Sequence, residues 1–416
     1  MMYDIIIIGG GAAGLSAAKE AYDPALKILV IEREARLGGI LRQCIHNGFG
    51  IHKFNLELTG PEYAEKTAEA IEDLDIDVLL KTTVTDIIKF KTFDLTVMNE
   101  TDGEFHVEAK SVIIASGCYE KTRSQILLPG DRPAGILTAG SAQRYLNLDG
   151  YMVGKKVFIL GSGDIGLIMA RRMTLEGAEV LGVAELMPYS NGLTRNIAQC
   201  LDDYDIPLYL SHTITDIIGK ERLEKIVIQE VDPHFTPIEG TEKTFEVDTL
   251  LLSVGLVPDI QMFESLKFAV SPITKGAIVD QHLQTSVEGL FACGNALHVH
   301  DLVDWVSEES ERAGQYAKAY VTGTLHAHEA KDVIPGDHVR YVLPQRLDFS
   351  GQDESTRFSL RSTIKADKGT FKIMQGDTLI MHKKMRHIAP AEMEHLIVPK
   401  DKWVSDEPVT ISLEVS

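Results

Sequence analysis

The pattern of apolar residues and glycines in the first forty positions is the clearest structural signal in the chain. Four consecutive isoleucines, residues 5–8, predict a strand that is buried on both faces. Glycines follow at Gly9, Gly11 and Gly14, and this spacing predicts a sharp turn into a helix whose first amide groups face outward. The next apolar run predicts a second strand, which ends at Glu32. This order of strand, glycines, helix and acidic residue is typical of a cradle for the pyrophosphate of a dinucleotide.

Each residue of this cradle suits a separate task. Gly9 supplies the tight turn, Gly11 lets the phosphates approach the backbone, and Gly14 permits close packing of the helix on the strand. Ala13 lies inside the same motif and is predicted to line the cofactor with them. Glu32 is placed to hold a ribose hydroxyl of the dinucleotide.

A second copy of this design lies near the middle of the chain. Residues 154–166 repeat the strand and the glycine spacing, with Gly161, Gly163 and Gly166 in the three positions. Glu185 ends the following strand, where an acidic side chain accepts hydrogen bonds from an adenosine 2′-hydroxyl and repels a 2′-phosphate. The second cradle is therefore predicted to bind NAD rather than NADP.

Other segments predict close approach of the backbone to a ligand. Three later apolar strands, residues 111–117, 250–255 and 290–295, end in small residues. The loop at residues 36–50 is rich in glycine and amide side chains and shows little periodicity. Together these segments add six residues to the predicted cofactor contacts: Gly38, Gly39, Gly117, Gly255, Gly294 and Asn295.

The remaining pattern predicts helices, a meander and a separate C-terminal part. Helical periodicity occurs at residues 61–74 and 301–321, and short strands between residues 78 and 107 predict a meander. In the second of these helices, the charge run at 308–312 predicts a solvated face. From about residue 334, short runs with period two are separated by Gly-Asp and Pro-containing turns, which predicts a small antiparallel β-domain.

Composition and charge exclude several classes of protein. A chain of 416 residues is too long for one ordinary core, so we expect two or three domains. No apolar run approaches the length of about 20 residues that a membrane-spanning helix needs. The formal net charge of −20 disfavours a nucleic-acid partner. Because the first predicted strand begins at Tyr3 and leaves no room for a signal peptide, we expect a cytoplasmic location.

The four cysteines are Cys44, Cys118, Cys200 and Cys293, and they are far apart in the sequence without any CxxC pair. Disulfide scaffolds, structural zinc sites and iron–sulfur centres use clustered cysteines. We therefore predict none of these and no metal site.

The order of the motifs resembles that of the flavoproteins with two dinucleotide-binding domains, the pyridine nucleotide-disulfide oxidoreductase superfamily, which includes glutathione reductase and thioredoxin reductase. The resemblance covers residues 1 to about 328 and includes both cradles and the segments 115–117, 254–259 and 285–295. More narrowly, residues 39–50 and 138–143 are similar to the NAD/FAD-dependent oxidoreductases associated with glycerol-3-phosphate dehydrogenases. Relatives of that branch include the flavin subunits of opine oxidase, dye-linked proline dehydrogenase and hydrogen cyanide synthase.

This resemblance implies an α/β fold with two Rossmann-like, three-layer dinucleotide-binding domains and a small C-terminal antiparallel β-domain. The first cradle would hold FAD in a discontinuous domain formed by residues 1–118 and 256–330. The second cradle would hold NAD in residues 119–255, and the β-domain would comprise residues 335–416.

The resemblance also assigns a role to the late strand and the helix after it. Relatives carry Gly-Asp where this chain has Gly294 and Asn295, and Asn keeps one acceptor oxygen while it loses the charge. The helix predicted to start near Asp301 would aim its N-terminus at the flavin, and Asp301 joins the predicted cofactor contacts.

Disulfide reductases of this superfamily carry a cysteine pair beside the flavin, and this chain lacks one. Electrons that enter as hydride from NADH are therefore expected to pass to oxygen, to a quinone or dye, or to a partner flavoprotein. The alternative is a flavin subunit of a heteromeric amine, imino-acid or glycerol-3-phosphate dehydrogenase complex. A third interpretation, an assembly subunit with structural FAD, also remains open, as does the choice between homo- and hetero-oligomer.

Three residues are candidates for catalysis. Cys44 lies near the position where peroxidase-like and oxidase relatives keep one redox cysteine, and His46 and His298 flank the expected flavin position. For each of them a structural interpretation is also open: a packed thiol for Cys44 and a hydrogen-bonding side chain for His46 and His298.

Overall fold

A computed structural model describes residues 1–325, 330–349 and 355–415 of the chain. The chain divides into two compact units, one formed by Met1–Cys118 with Val257–Ser416 and the other by Tyr119–Leu256. The first unit is therefore discontinuous in sequence, and the second is inserted into it.

The helices and strands follow one another in chain order. The first segment contains β1 (Met2–Ile8), α1 (Ala12–Ala21), β2 (Ile28–Ile31), β3 (Asn47–Phe49), β4 (Leu58–Thr59), α2 (Gly60–Glu72), β5 (Ile76–Leu79), β6 (Thr83–Lys89), β7 (Phe93–Asn99) and β8 (Gly103–Ile114). The middle segment contains β9 (Cys118–Glu120), β10 (Ile136–Thr138), α3 (Ala139–Asn147), β11 (Lys156–Leu160), α4 (Asp164–Leu175), β12 (Glu179–Glu185), α5 (Thr194–Cys200), β13 (Leu208–Leu210), β14 (His212–Gly219), β15 (Leu223–Glu230), β16 (Lys243–Glu246), β17 (Thr249–Leu252) and β18 (Leu256–Pro258). The last segment contains β19 (Leu290–Ala292), α6 (Val303–Val321), β20 (Lys331–Pro335), β21 (Val339–Leu343), β22 (Arg346–Leu347), β23 (Thr356–Ser362), β24 (Ala366–Gln375), β25 (Thr378–Ile388), β26 (Met393–Val398) and β27 (Val409–Val415).

The first unit is built on one mixed sheet. Its strand order is β5-β2-β1-β8-β7-β6, and β19 also pairs with β8. The pairs β1–β2, β2–β5, β1–β8 and β8–β19 are parallel, whereas β6, β7 and β8 form the predicted antiparallel meander. The isoleucines of β1 are fully or almost fully buried, as expected for a strand covered on both faces.

Helices α1 and α6 pack closely on each other beside this sheet. A Cβ atom added at Gly314 of α6 would lie 2.2 Å from the carbonyl oxygen of Ala17 in α1, which no side chain can tolerate. Glycine at position 314 therefore allows the backbones of the two helices to touch, and it brings the start of α6 towards the cradle that opens α1.

The second unit has a parallel sheet of its own. The strand order β10-β17-β11-β12-β13 is parallel throughout, and the antiparallel sheet β14-β15-β16 accompanies it. Two hydrophobic clusters fill this unit: one includes Met169 and Met173 of α4, and the other includes Phe158 of β11. The predicted repeat of the strand–helix–strand design is therefore present in β11, α4 and β12.

The C-terminal strands form two sheets around one hydrophobic cluster. One sheet has the order β22-β20-β27-β24-β25, and the other has the order β21-β23-β26. Their neighbouring strands are antiparallel except for β20 and β27, which run parallel. The shared cluster includes the fully buried Phe358 and Phe371. These strands belong to the same compact unit as residues 1–118.

In the described part of the chain, none of the helices combines the length and the apolar character that crossing a bilayer requires.

Candidate functional site

The glycines of the first cradle are required by close packing. A Cβ atom at Gly9 would lie 2.3 Å from the carbonyl oxygen of Ala115, and one at Gly14 would lie 1.8 Å from that of Gly9. Because real Cβ atoms do not approach carbonyl oxygens this closely, both positions admit only glycine. The turn is therefore wedged between the start of α1 and the end of β8.

Gly11 differs from these two glycines, because the space beside it is open. A Cβ atom there would meet no protein atom closer than the Cα of Gly39, 3.9 Å away. Gly39 has a φ of +55°, and a Cβ atom added to it would lie 3.0 Å from the Cα of Gly11. Gly38 N donates a hydrogen bond of 2.8 Å to Gly10 O. The loop at 38–39 is thus tied over the cradle and leaves room for a ligand beside Gly11.

The N-terminus of α1 is suited to an anion. Its N-cap residue is Gly11, which provides no side-chain hydrogen bond, and its first turn carries no acidic side chain. The first amides of a helix have no intrahelical acceptor, and the helix dipole places partial positive charge there. Ala13 lies in this turn. Because the helix N-terminus is positive and the space beside Gly11 is open, the cradle suits the pyrophosphate of a dinucleotide.

The two predicted acidic residues are held in the same way, one in each unit. Glu32 is buried, and its carboxylate accepts hydrogen bonds from Gly10 N (2.7 Å) and Glu34 N (2.7 Å). Glu185 is also buried and accepts from Ser162 N (2.9 Å) and Met187 N (3.0 Å). In both cases the carboxylate binds the amide that follows the first glycine of the motif and the amide two residues after itself. The repeat seen in sequence is therefore a repeat of geometry.

The second cradle is packed like the first. A Cβ atom at Gly161 would lie 2.1 Å from Ser253 O, and one at Gly166 would lie 2.7 Å from Gly161 O. Gly163 is the N-cap of α4 and provides no side-chain hydrogen bond. The strand that ends near Gly255 therefore lies directly beside the turn, as the end of β8 does in the first unit.

The late Gly-Asn segment lies at the first cradle. A Cβ atom at Gly294 would lie 2.8 Å from the Cβ of Ala13, so this segment packs on the first turn of α1. Asn295 Oδ1 accepts a hydrogen bond from His300 N (3.1 Å), which orients its amide. Gly117 follows the strand end that packs on Gly9, and its O accepts from Asp259 N (2.9 Å).

Asp301 has protein partners that the sequence did not indicate. One carboxylate oxygen pairs with the guanidinium of Arg361, and the other accepts a hydrogen bond of 2.7 Å from Met393 N. Both partners belong to the C-terminal strands, and α6 begins at Val303, two residues after the predicted start. At the start of α6, the side chain of Asp304 accepts from Gly50 N (3.3 Å) and Lys53 N (3.1 Å), which ties this end of the helix to the loop.

His298 belongs to a buried network with Glu309 and His300. Its Nε2 lies 2.9 Å from Glu309 Oε2, and His300 Nε2 lies 3.4 Å from the same oxygen. The other oxygen of Glu309 accepts a hydrogen bond of 2.9 Å from Gly294 N. Burial opposes ionisation of Glu309, but the nearby charges of His300 and His298 outweigh it and hold the pKa of this carboxyl well below its usual range. The network thus joins a buried anion to the cofactor segment.

Burial, and then the charge of His300, lower the pKa of His298 to about 4. The ring is therefore neutral near pH 7. It is fully buried, so any proton it exchanged with a substrate would have to pass through a neighbouring group.

The ligand atoms of His298, His300 and Glu309 lie within 4.8 Å of one another, a spacing that a metal ion could use. However, Nε2 of His298 is hydrogen-bonded to the carboxylate, and the buried Nδ1 has no hydrogen-bond partner among the described residues. Ligation through Nε2 would place the proton on Nδ1 and leave a buried donor unsatisfied, whereas histidine ligands normally donate that proton to a second-shell acceptor. We interpret this cluster as a proton-sharing network.

The buried His298 predicts that acid destabilises the protein. The unfolded chain binds a proton at this side chain below about pH 6.5, whereas the folded protein does so only near pH 4, so stability falls as the pH drops through this window. We expect this group to contribute a loss of roughly 3 kcal/mol. Urea unfolding of wild type and His298→Gln at several pH values measures it.

The His298→Gln variant should show a shallower pH dependence, and His234→Gln, which alters an exposed histidine, should behave like wild type. Equal pH dependence in all three proteins would contradict the assignment.

Cys44 and His46 lie in the loop over the cradle. Burial raises the pKa of the Cys44 thiol to about 12, and its Sγ lies 3.4 Å from Ile40 O. A thiol in this state carries no thiolate at neutral pH, which favours the packed interpretation over redox chemistry. Nδ1 of His46 lies 3.0 Å from Asn47 O, and its ring contacts Phe49.

Glu309 is the residue that the sequence interpretation missed. The charge run at 308–312 predicted a solvated face, and this is wrong for Glu309, which is buried. The signal was its helical phase: Glu309, Ala313 and Ala317 are four residues apart and lie on the inner face of α6. A carboxylate in phase with two alanines is typical of a buried, partnered acid.

Two sheets with parallel central strands, each with a glycine turn, a helix N-terminus and a buried acidic residue, define an oxidoreductase of the class with two dinucleotide-binding domains. Sequence comparison agrees: the model of the family described as pyridine nucleotide-disulphide oxidoreductase matches residues 3–322. The chain belongs to this family, which confirms the predicted superfamily. It is an FAD-dependent NAD(P)H oxidoreductase.

Several characterised proteins are similar in sequence. Dihydrolipoyl dehydrogenase 2, mitochondrial, of Arabidopsis thaliana is 24% identical over 404 residues, which cover 89% of this chain and 75% of that protein. NADH oxidase of Methanocaldococcus jannaschii is 26% identical over 319 residues, 72% of this chain and 64% of that protein. Sarcosine oxidase subunit alpha of Corynebacterium sp. strain U-96 is 25% identical, but the match covers only 31% of it and 71% of this chain.

Solved structures share the fold. Thioredoxin reductase from T. acidophilum superposes with a TM-score of 0.62 at 22% identity, over 76% of this chain and 98% of that one. L-proline dehydrogenase from P. horikoshii gives a TM-score of 0.54 at 20% identity, over 76% of this chain and 55% of that one. At these identities the likeness concerns the fold, and it confirms the predicted α/β class with two Rossmann-like domains.

Proposed function

We propose that this protein transfers a hydride between NAD(H) and FAD and passes the electrons to oxygen, to a quinone or dye, or to a partner flavoprotein. The observation that carries the proposal is the matched pair of cradles, in which Glu32 and Glu185 bind equivalent amides. FAD and a nicotinamide dinucleotide are the cofactors of the family. No disulfide relay is included, because none of the four cysteines forms a disulfide in the described structure and none is followed by a CxxC partner.

The residues of each cradle have defined tasks in this proposal. The helix N-termini of α1 and α4 balance the phosphate charge, and Glu32 and Glu185 accept ribose hydroxyls. Bound FAD supplies the hydride-accepting chemistry. The loop at 38–39 covers the first cradle, and the Gly294 segment presses on it from the side of α6. These segments would orient the bound cofactor and shield its phosphates from water.

The direct test is anaerobic stopped-flow mixing of the FAD-loaded protein with NADH. We expect the flavin absorbance to bleach, and subsequent mixing with oxygen, quinones or dyes identifies the acceptor by the rate at which the colour returns. A flavin that stays oxidised at saturating NADH, with or without a partner protein, would refute the proposal.

Glu185 predicts a preference for NADH. Its buried carboxylate repels a 2′-phosphate, so wild type should be reduced by NADPH at least about tenfold less efficiently than by NADH. Glu185→Gln keeps an acceptor for Ser162 N but removes the charge. It should therefore lower the ratio of the NADH efficiency to the NADPH efficiency. The ratio of second-order rate constants for flavin reduction measures the effect.

Glu179→Gln, at the exposed start of the same strand, is the matched control and should keep the wild-type ratio. Equal use of the two nucleotides by wild type would contradict the role given to Glu185.

A second candidate is a flavin subunit of a heteromeric amine, imino-acid or glycerol-3-phosphate dehydrogenase. It is favoured by the likeness to proteins described as sarcosine oxidase subunit alpha and L-proline dehydrogenase. The match covers 31% of the first and 55% of the second, so both extend beyond the part that resembles this chain. Isolation from the native cell distinguishes the two: a stable companion flavoprotein supports the complex, and an isolated homo-oligomer counts against it. The cell fraction from which the protein is isolated tests the proposed cytoplasmic location.

A further inference from the structure

A polar cleft lies where α6 meets the C-terminal strands. It is lined from α6 by Trp305 and Arg312 and from β23 and β26 by Arg357 and His395. His300 and Ser359 complete its nitrogen- and hydroxyl-bearing walls. The predicted cofactor set contains none of these residues, so the cleft is a separate feature of the first unit.

Two buried nitrogen atoms of the cleft residues have no hydrogen-bond partner in the described part of the chain. They are Nε of Arg312 and Nε2 of His395. Nδ1 of His395 lies 3.1 Å from Ser359 Oγ, so only one side of that ring is satisfied. A buried donor without a partner costs about 1–3 kcal/mol, and more when it is charged. A ligand with acceptor oxygens would remove that cost at both atoms.

The charged groups that line the cleft are the guanidiniums of Arg312 and Arg357 and the carboxylates of Glu308 and Glu309. Burial, and then the charge of Arg357, lower the pKa of His395 to about 3, so its ring is neutral near pH 7. Arg357 lies 5.1 Å from the ring of Trp305 and pairs with Glu308, whose side chain is 45% exposed.

The second carboxylate of the cleft, Glu309, has both oxygens engaged by Gly294 N and the two histidines. Arg312 makes no ion pair with any residue in the described ranges. Its Nε can therefore donate to an acceptor oxygen of a ligand.

We propose that this cleft binds the carboxylate or phosphate group of a small organic substrate, with Arg312 and His395 as the recognising side chains. Arginine is suited to both groups because its guanidinium donates in a planar fork. Ser359 and Trp305 would supply a hydroxyl and an aromatic wall. That this ligand is the substrate of the oxidoreductase rests on the proposed function, whereas the binding of an anion in the cleft does not.

The cleft is coupled to the predicted flavin site by short contacts. Glu309 lines the cleft and accepts from Gly294 N, and His300 lines it and donates its backbone N–H to Asn295. On the other side, Trp305 stacks on His52, whose neighbour Lys53 binds the start of α6. An anion in the cleft should therefore change the visible spectrum of bound FAD.

Calorimetric and spectral titrations of the FAD-loaded protein test this proposal. The probes are inorganic phosphate, glycerol 3-phosphate, acetate and L-proline, each at constant ionic strength. We expect saturable binding of one ion per chain with a flavin difference spectrum. Selective binding of the two phosphates identifies a phosphate site, and selective binding of the two carboxylates identifies a carboxylate site.

Variants assign the binding to the cleft. Arg312→Gln should weaken binding at least about tenfold, because a charge-assisted hydrogen bond is lost. His395→Phe keeps an aromatic ring against Trp305 and should weaken binding independently. Arg386→Gln, on the exposed part of β25, is the matched control and should bind like wild type. FAD content and the thermal midpoint show whether each variant is folded.

Two results would overturn the proposal. One is the absence of saturable binding for all four probes, which would mean that the cleft holds water only. The other is binding that survives both Arg312→Gln and His395→Phe in folded protein. Because these titrations need no nicotinamide, a flavin that NADH fails to reduce would refute the proposed function and leave the anion site standing.

Discussion

Gly11→Val is expected to abolish FAD binding while the protein stays folded. The backbone at Gly11 is extended, with φ −80° and ψ −172°, which valine adopts readily, and a Cβ there clears the nearest protein atom by 3.9 Å. The branched side chain would instead occupy the open space beside the α1 N-terminus, where we place the pyrophosphate. We expect flavin affinity to fall by about a thousandfold or more, because phosphate contacts to the amides are blocked.

Flavin content after purification and titration of the apoprotein with FAD measure this change, and circular dichroism reports the fold. Gly163→Val is the corresponding change in the second cradle, where a Cβ would lie 3.3 Å from Ser253 Oγ: it should retain FAD and lose NADH binding. A Gly11→Val protein that binds FAD normally would show that the first cradle does not hold the flavin. An exchange of the two phenotypes would reverse the cofactor assignment.

Arg361→Met should destabilise the first unit by about 3–5 kcal/mol, because it leaves the half-buried Asp301 without its cation. Arg361 is mostly buried and also donates to Tyr341 Oη (3.1 Å) and to the carbonyl oxygens of Val299 (3.2 Å) and Ala391. Methionine fills a similar volume, so the loss reflects the missing charge and donors more than a cavity. Urea unfolding at neutral pH measures it.

Arg386→Met, an exposed arginine on β25, should change stability by less than about 0.5 kcal/mol. A second variant, Asp301→Asn combined with Arg361→Met, should recover part of the loss, since the uncompensated charge is then absent. If the single variant unfolds like wild type, the contact between the C-terminal strands and the 299–301 segment contributes little.

Arg361 also shows what the C-terminal strands do for the rest of the unit. Its guanidinium, together with Met393 N, holds the segment between the Gly294–Asn295 pair and the start of α6. We expect the Arg361→Met protein to bind FAD more weakly as well, because that segment packs on the first turn of α1.

The elements around each cradle could be predicted from sequence because their determinants are local. The turn, the helix start and the acidic residue of the first cradle span 24 residues, and the hydrogen bond between Gly10 N and Glu32 joins residues 22 positions apart. The apolar run of β1 and the fixed glycine spacing allow few alternatives. The same holds for Glu185 and Ser162, which are 23 positions apart.

The environment of α6 could not be predicted in this way. Its charge run looked solvated because a single helix does not show which part of its surface will be covered. Glu309 is buried because α1 covers one side of the helix and the C-terminal strands meet it on another, and these come from both ends of the chain. Cys44 illustrates the same limit: the raised pKa of its thiol follows from burial, which no local pattern around the residue indicates.

The sequence by itself determined the two glycine turns with their acidic residues, the fold class and the family, because these depend on short-range spacing of glycine, apolar and acidic residues. Only the tertiary structure decided the partners of Asp301 and Glu309 and the place of Arg312 in the cleft. Asp301 meets Arg361 across 60 residues and Met393 across 92. Such contacts depend on how separate sheets pack, and neither helical nor strand periodicity carries that information. The cleft beside α6 arises from this packing, and it is where the substrate chemistry of the protein can now be tested.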